Sequence, residues 1–140
     1  MQRNDFRDWV RFKVRWSDMD AFCHVNNARY FTYFEMGRIH IFEQYIENNW
    51  QEAPVGPVLA SVTCNFRAPV VYPATLEIGT VLTRLGNKSF DLTHQIYFAD
   101  TERIAADGKS VIAWIDRASG QSIVIDNTFR EKLGSIAALQ

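Results

Sequence analysis

Apolar and charged residues alternate from the start of the chain. Val10, Phe12, Val14 and Trp16 are interleaved with Arg11, Lys13 and Arg15, the period of a strand with one face buried and one in water. A polar loop follows over residues 17–27. Over residues 28–47 the period changes to that of a helix about 30 Å long. Its apolar residues, among them Tyr30, Phe31, Phe34, Met36, Ile39, Ile41 and Phe42, occupy more than one stripe, which predicts burial on several sides. Asn26 or Asn27 can cap it, because a short Asn side chain accepts a bond from an orphan backbone N–H. Gly37 costs a helix about 1 kcal/mol relative to Ala, so its presence implies that a neighbouring element approaches closely there. Glu35 and Arg38 have the i,i+3 spacing of an ion pair.

The rest of the chain has period two. Val58, Ala60, Val62, Cys64 and Phe66 fall on one face of a strand. A loop with two prolines spans residues 68–73, and Leu76, Ile78, Thr80 and Leu82 begin the next alternation. Gly86-Asn87 is a turn signal, followed by Phe90, Leu92, His94, Ile96 and Phe98 in strict alternation. The last strand ends in Ser110-Val111-Ile112-Ala113-Trp114-Ile115-Asp116. At Asp107-Gly108 a bulge fits better than a hairpin turn, because the flanking pieces are too short to be separate strands. The tail predicts a short edge segment and a helical turn. One long helix beside about five strands, without regular alternation between them, indicates an α+β fold in which a curved antiparallel sheet wraps the helix.

Composition narrows the function classes. The 140 residues suit one domain, residues 1–140, able to fold without disulfides or a structural metal. The net charge of -1 lacks the basic face that nucleic acid requires. Arg3, Arg7, Arg11, Lys13 and Arg15 read as the solvated face of the first strand. Cys23 and Cys64 read as semi-buried free thiols. The N-terminus has no apolar signal region and the chain no membrane-length apolar run, so a cytoplasmic location away from membranes is expected. No spacing of His, Cys and carboxylates suggests a metal.

The candidate chemistry lies between Ser17 and Arg29, where Asp18, Asp20, His24, Asn26 and Asn27 run into a helix N-terminus. Unpaired N–H groups and partial positive charge at a helix start can stabilise an oxyanion. An adjacent carboxylate can act as nucleophile or general base. By spacing alone, an ordinary capped loop is the better reading of the same residues, because Asp and Asn are common loop and capping residues.

The run from Asp18 to Tyr30, DMDAFCHVNNARY, followed by Phe34-Glu35 and Arg38, resembles the D-x-D-x-x-G-H-V-N-N-x-x-Y signature of hotdog-fold thioesterases, in particular the 4-hydroxybenzoyl-CoA thioesterase family. Arg84-Leu85-Gly86-Asn87-Lys88-Ser89-Phe90 is similar to that family's R-x-G-x-x-S-F turn. The resemblance implies a hotdog fold and hydrolysis of an acyl-CoA thioester, with coenzyme A as part of the substrate and no other cofactor. It places the catalytic carboxylate on Asp20 and the carbonyl-polarising backbone N–H near Asn27. Asp18 would be a supporting residue by that resemblance, while an ordinary surface or turn Asp is the favoured reading of it. His24 would orient the loop rather than transfer protons, since Phe22 stands where related plant acyl-carrier-protein thioesterases carry Asn. Cys23 occupies a usual Gly position, one that often serves a positive φ. Arg84, Lys88 and Ser89 would contact coenzyme A, and Tyr30 and Phe31 would line the acyl pocket. His40 and His94 would be ordinary core or surface residues. A homodimer or homotetramer with edge-paired sheets and active sites at the interface is implied. An acyl-carrier protein as substrate carrier, or a non-catalytic acyl-binding hotdog domain, are the alternatives.

Overall fold

A computed structural model describes residues 1–46 and 49–137. Strands β1 (Asp8–Lys13), β2 (Val55–Phe66), β3 (Thr75–Leu85), β4 (Ser89–Phe98) and β5 (Ile104–Asp116) form one antiparallel sheet in the order β1-β3-β4-β5-β2. The long helix α1 (Asn27–Tyr45) lies across one face of this curved sheet, and the short helix α2 (Asn127–Gly134) closes one end. This is the hotdog architecture. Among the described residues, no helix is long and apolar enough to cross a membrane.

Helix α1 begins where its cap dictates. Asn26 has extended backbone, and its side chain accepts the Ala28 N–H at 3.0 Å, so Asn27 is the first helical residue. The expected end at Glu47 lies outside the described residues. The buried residues Tyr30, Tyr33, Phe34, Gly37, Arg38, Ile41 and Phe42 form one i, i+3, i+4, i+7 stripe. Burial on several sides is therefore not found: Phe31 is exposed, because a single sheet covers a single face. Gly37 meets its expectation, since an added Cβ would stand 2.6 Å from Thr80 Oγ1 and 3.2 Å from Ile78 Cδ1. Arg38 does not pair with Glu35. It turns inward and donates to Ser110 Oγ at 3.1 Å.

Three other expectations are corrected. β1 stops at Lys13, and Trp16 leaves the strand's inner face for a 3-10 turn, where it is 76% exposed. Asp18 causes this turn by accepting the Arg15 N–H at 3.0 Å. The pairing of β5 stays regular through Asp107 and Gly108, and its bulge falls earlier, where Ile96 faces Ala106 and Tyr97 faces Ile104. Gly108 serves a different need: a Cβ there would sit 2.5 Å from the Phe34 ring. The N-terminal basic residues are not simply a solvated strand face. Arg3 pairs with Glu77 and lies 4.4 Å above the Trp9 ring, while Phe6 packs over Gly79 on the back of the sheet.

The core divides along α1. Tyr30, Tyr33 and Phe34 pack with Val25, Leu76, Ile78 and Ile96 at the N-terminal end. Ile41 and Phe42 pack with Leu82, Phe90, Leu92, Trp114 and Phe129 at the other. This division decides which candidate residues can meet.

Candidate active site

The loop before α1 folds back as a small antiparallel ladder. Met19 pairs with Val25, the Asp20 N–H donates to the His24 carbonyl at 3.1 Å, and the Asn26 N–H donates to the Asp18 carbonyl at 2.9 Å. The register brings Asp20 opposite His24, three residues before Asn27. Asp20 is half-buried, and its Oδ1 accepts the Phe22 N–H at 2.9 Å, an Asx turn that orients the carboxylate. Cys23 sits at φ 64, so this position does have the backbone that favours Gly. Its thiol is exposed rather than semi-buried, whereas Cys64 is half-buried as expected.

Asp18 is the anchor of the loop and not a surface residue. It is 2% exposed and accepts from the Tyr33 hydroxyl at 2.8 Å and from the Arg15 N–H. Burial alone would raise its pKa, but those two bonds and the Arg15 and Arg29 cations outweigh it and hold the carboxyl below its ordinary range. Burial, and then the bond to Asp18, push the Tyr33 phenol upward. A turn residue with such partners fastens the Asp20 loop to the middle of α1.

Beside this loop lies a groove of about 220 Å3 lined by His24, Val25, Asn27, Tyr30, Phe66, Arg67, Ala68 and Pro69. The Asn27 N–H is an orphan donor of the helix start, and Asn27 lines this groove at the partial positive end of α1. His24 is exposed at its rim. Tyr30 forms the floor and meets Phe66 edge-on at 5.1 Å. Phe31 points away from the groove and contacts Phe34 edge-on at 6.5 Å. Arg67, which sequence reasoning missed, stands in the wall and grips Asp107 through Nε at 2.7 Å. A single Arg at a strand end carries no signal by which sequence could have found it.

The β3–β4 turn belongs to the opposite end of the molecule. Ile125 N–H donates to the Asn87 carbonyl, and Arg130 donates to the Gly86 carbonyl at 3.0 Å, so α2 and its lead-in hold this turn. Arg84 donates to Ser89 Oγ at 2.7 Å and to Asp91 at 2.8 Å, while Lys88 is exposed. Asp91 also takes Lys109 at 3.0 Å. Asp20 and the turn residues Arg84, Lys88 and Ser89 are therefore not brought together within one chain. Among the described residues, no group of three or more His, Cys, Asp or Glu side chains is placed to hold a metal. A larger cleft of about 320 Å3 on the back of the sheet has its charges already paired between Arg3, Arg11 and Glu77.

Residues 14–133 match the sequence model of the thioesterase-like superfamily. The chain is 30% identical over 125 residues to the long-chain acyl-CoA thioesterase FadM of Escherichia coli K12, covering 89% of this chain and 95% of that protein. Among solved structures, the PA2801 protein of Pseudomonas aeruginosa is 31% identical with a TM-score of 0.81, covering 88% of this chain and 95% of the other. The PA5185 protein of Pseudomonas aeruginosa strain PAO1 is 25% identical with a TM-score of 0.90, covering 98% of this chain and 96% of the other.

Proposed function

The chain belongs to the thioesterase-like superfamily, and from that membership and its site we propose that it hydrolyses an acyl-CoA thioester to the free acid and coenzyme A. Asp20 attacks the thioester carbonyl or activates the water that does so. The Asn27 N–H, at the positive end of α1, binds the carbonyl oxygen as negative charge develops on it. His24 shapes the loop through its backbone carbonyl. The observation that carries this reading is the ladder that sets Asp20 opposite His24, which lines a groove together with Asn27 and Tyr30 of the first turn of α1, Asp20 itself standing next to that lining in the chain fold.

The separation of the two ends supports a site completed by a second copy. Asp20 lies at the N-terminal end of α1, and the basic turn of Arg84 and Lys88 lies at the other, about 28 Å away by helix rise. β2 is an edge strand bearing exposed Val58, Leu59 and Phe66. Pairing β2 with β2 of a second copy would cover these residues and remove the open edge. In that dimer, Arg84, Lys88 and Ser89 of one protomer serve the groove of its partner, with charge-assisted bonds to coenzyme A phosphates.

Asp20→Asn keeps shape and the Oδ1 acceptor but removes the charge. Its expected outcome is a folded protein with acyl-CoA hydrolysis, followed by thiol release across an aliphatic and aryl series, reduced by about a thousandfold or more. Turnover within tenfold of wild type would refute the role of Asp20.

A further inference from the structure

Tyr30 is 3% exposed, yet among the described residues its hydroxyl makes no hydrogen bond. The other buried tyrosines are bonded: Tyr33 to Asp18 at 2.8 Å and Tyr97 to Gln95 at 2.5 Å. Fully enclosed side-chain polar atoms all have partners among the described residues. The Tyr30 hydroxyl is therefore not fully enclosed, and the residue lines the groove with His24, Asn27, Phe66 and Arg67. A hydroxyl that keeps little open surface and has no protein partner takes its bond from whatever occupies the space beside it.

Position and chemistry say what fills it. Tyr30 follows Asn27 by three residues, so the two share a helix face, and a helical side chain leans back over the preceding turn. The phenol and the Asn27 N–H thus adjoin one small volume, in which Val25, Phe66, Ala68 and Pro69 offer no side-chain donor, His24 is exposed at the rim and Arg67 is engaged by Asp107. Burial, and to a smaller degree Cys64, pushes the phenol up to about 12, so it keeps its proton at neutral pH and can donate it.

We propose that the Tyr30 hydroxyl is a second donor to the thioester carbonyl oxygen, completing with the Asn27 N–H a two-point oxyanion site. The proposal rests on the thioesterase reading and adds a group to it. The oxygen gains charge as Asp20 or its water attacks, and both donors tighten on it without any proton being transferred. This use differs from lining an acyl pocket, because it acts on every thioester alike and is strongest in the transition state.

The test compares wild type with Tyr30→Phe on octanoyl-CoA and benzoyl-CoA, in which the thioester carbonyl is the sole acyl oxygen. The expected result is a fall in kcat of about a hundredfold on both, with KM within a fewfold and a melting temperature no lower than wild type. Unchanged kcat, a loss confined to KM, or a lowered melting temperature each overturns the proposal, the last because it reveals a structural bond. Replacing Tyr30 with a trifluorotyrosine keeps the hydroxyl and the shape while making the phenol more acidic. The alkaline limb of the kcat profile should then move to lower pH, and an unmoved limb counts against donation. An inactive wild type sinks the thioesterase reading itself, whereas an active wild type matched by Tyr30→Phe sinks this inference alone.

Discussion

At the scale of single residues, a buried titratable group either is paired, as Asp18 is, or loses its charge. His94 shows the principle. Its ring is enclosed between Thr80 Oγ1 at 3.1 Å and Ser110 Oγ at 2.9 Å and stacks on Phe34. Burial, and then the Arg38 cation, pushes its pKa down from 6.5 to about 3. The folded protein therefore holds His94 neutral, while the unfolded chain protonates it below its ordinary pKa. Between those values the unfolded state binds more protons, so stability rises with pH and is lost on acidification, by up to about 1.4 kcal/mol per pH unit. Urea unfolding near pH 7.5 and near pH 5 should give a lower midpoint at the acid end, and His94→Gln should remove most of that slope. Equal slopes in the two proteins would assign the loss to other groups. Among the candidate residues, Asp20, His24 and Asn27 could be proposed from sequence because they sit in one continuous motif. The burial of Asp18 and the place of Arg67 could not be, since each depends on partners far along the chain: Tyr33 for one and Asp107 for the other.

At the scale of elements, α1 is held against the sheet by the absence of a side chain. Gly37 lets the helix backbone settle onto Thr80 and Ile78, directly above the Thr80–His94 bond. Ala would improve intrinsic helix propensity by about 1 kcal/mol, but its Cβ would overlap Thr80 Oγ1 at 2.6 Å. Gly37→Ala is expected to lower stability by about 1–3 kcal/mol net, as overpacking does, read as a lower urea midpoint. A gain in stability would show that the helix can lift without cost. The helix and all five strands were legible from periodicity, and Asn26 from capping chemistry. The failures have local causes: Trp16 continued an alternation that Asp18 interrupts, and the β5 bulge sits where pairing with β4 places it, not where Gly108 suggested.

At the scale of the whole molecule, one chain presents an unfinished surface. β2 has an unpaired edge with Val58 and Leu59 exposed, α1 leaves Phe31 uncovered, and the basic turn lies far from Asp20. The proposed β2–β2 dimer would close the open edge and bring the basic turn of one copy to the groove of the other. Leu59→Lys places a charge on that edge, a feature that opposes strand pairing. The expected outcome is a folded monomer by light scattering, with circular dichroism unchanged and acyl-CoA turnover largely lost. A variant that stays dimeric and active would move the interface elsewhere.

What the amino-acid sequence determined by itself is whatever depends on neighbours within a few residues: strand and helix periods, the Asn26 cap, the turn at Gly86-Asn87, and the compact motif from Asp18 to Tyr30. These follow from steric and hydrogen-bonding rules that act locally. Only the tertiary structure decided which side chains are sealed and which are left wanting a partner. Tyr33 finds Asp18, His94 finds Thr80 and Ser110, and Tyr30 finds none among the described residues. Such pairings depend on how segments far apart in the chain are brought side by side, and hydropathy patterns do not encode the angstrom-scale distances on which a hydrogen bond depends.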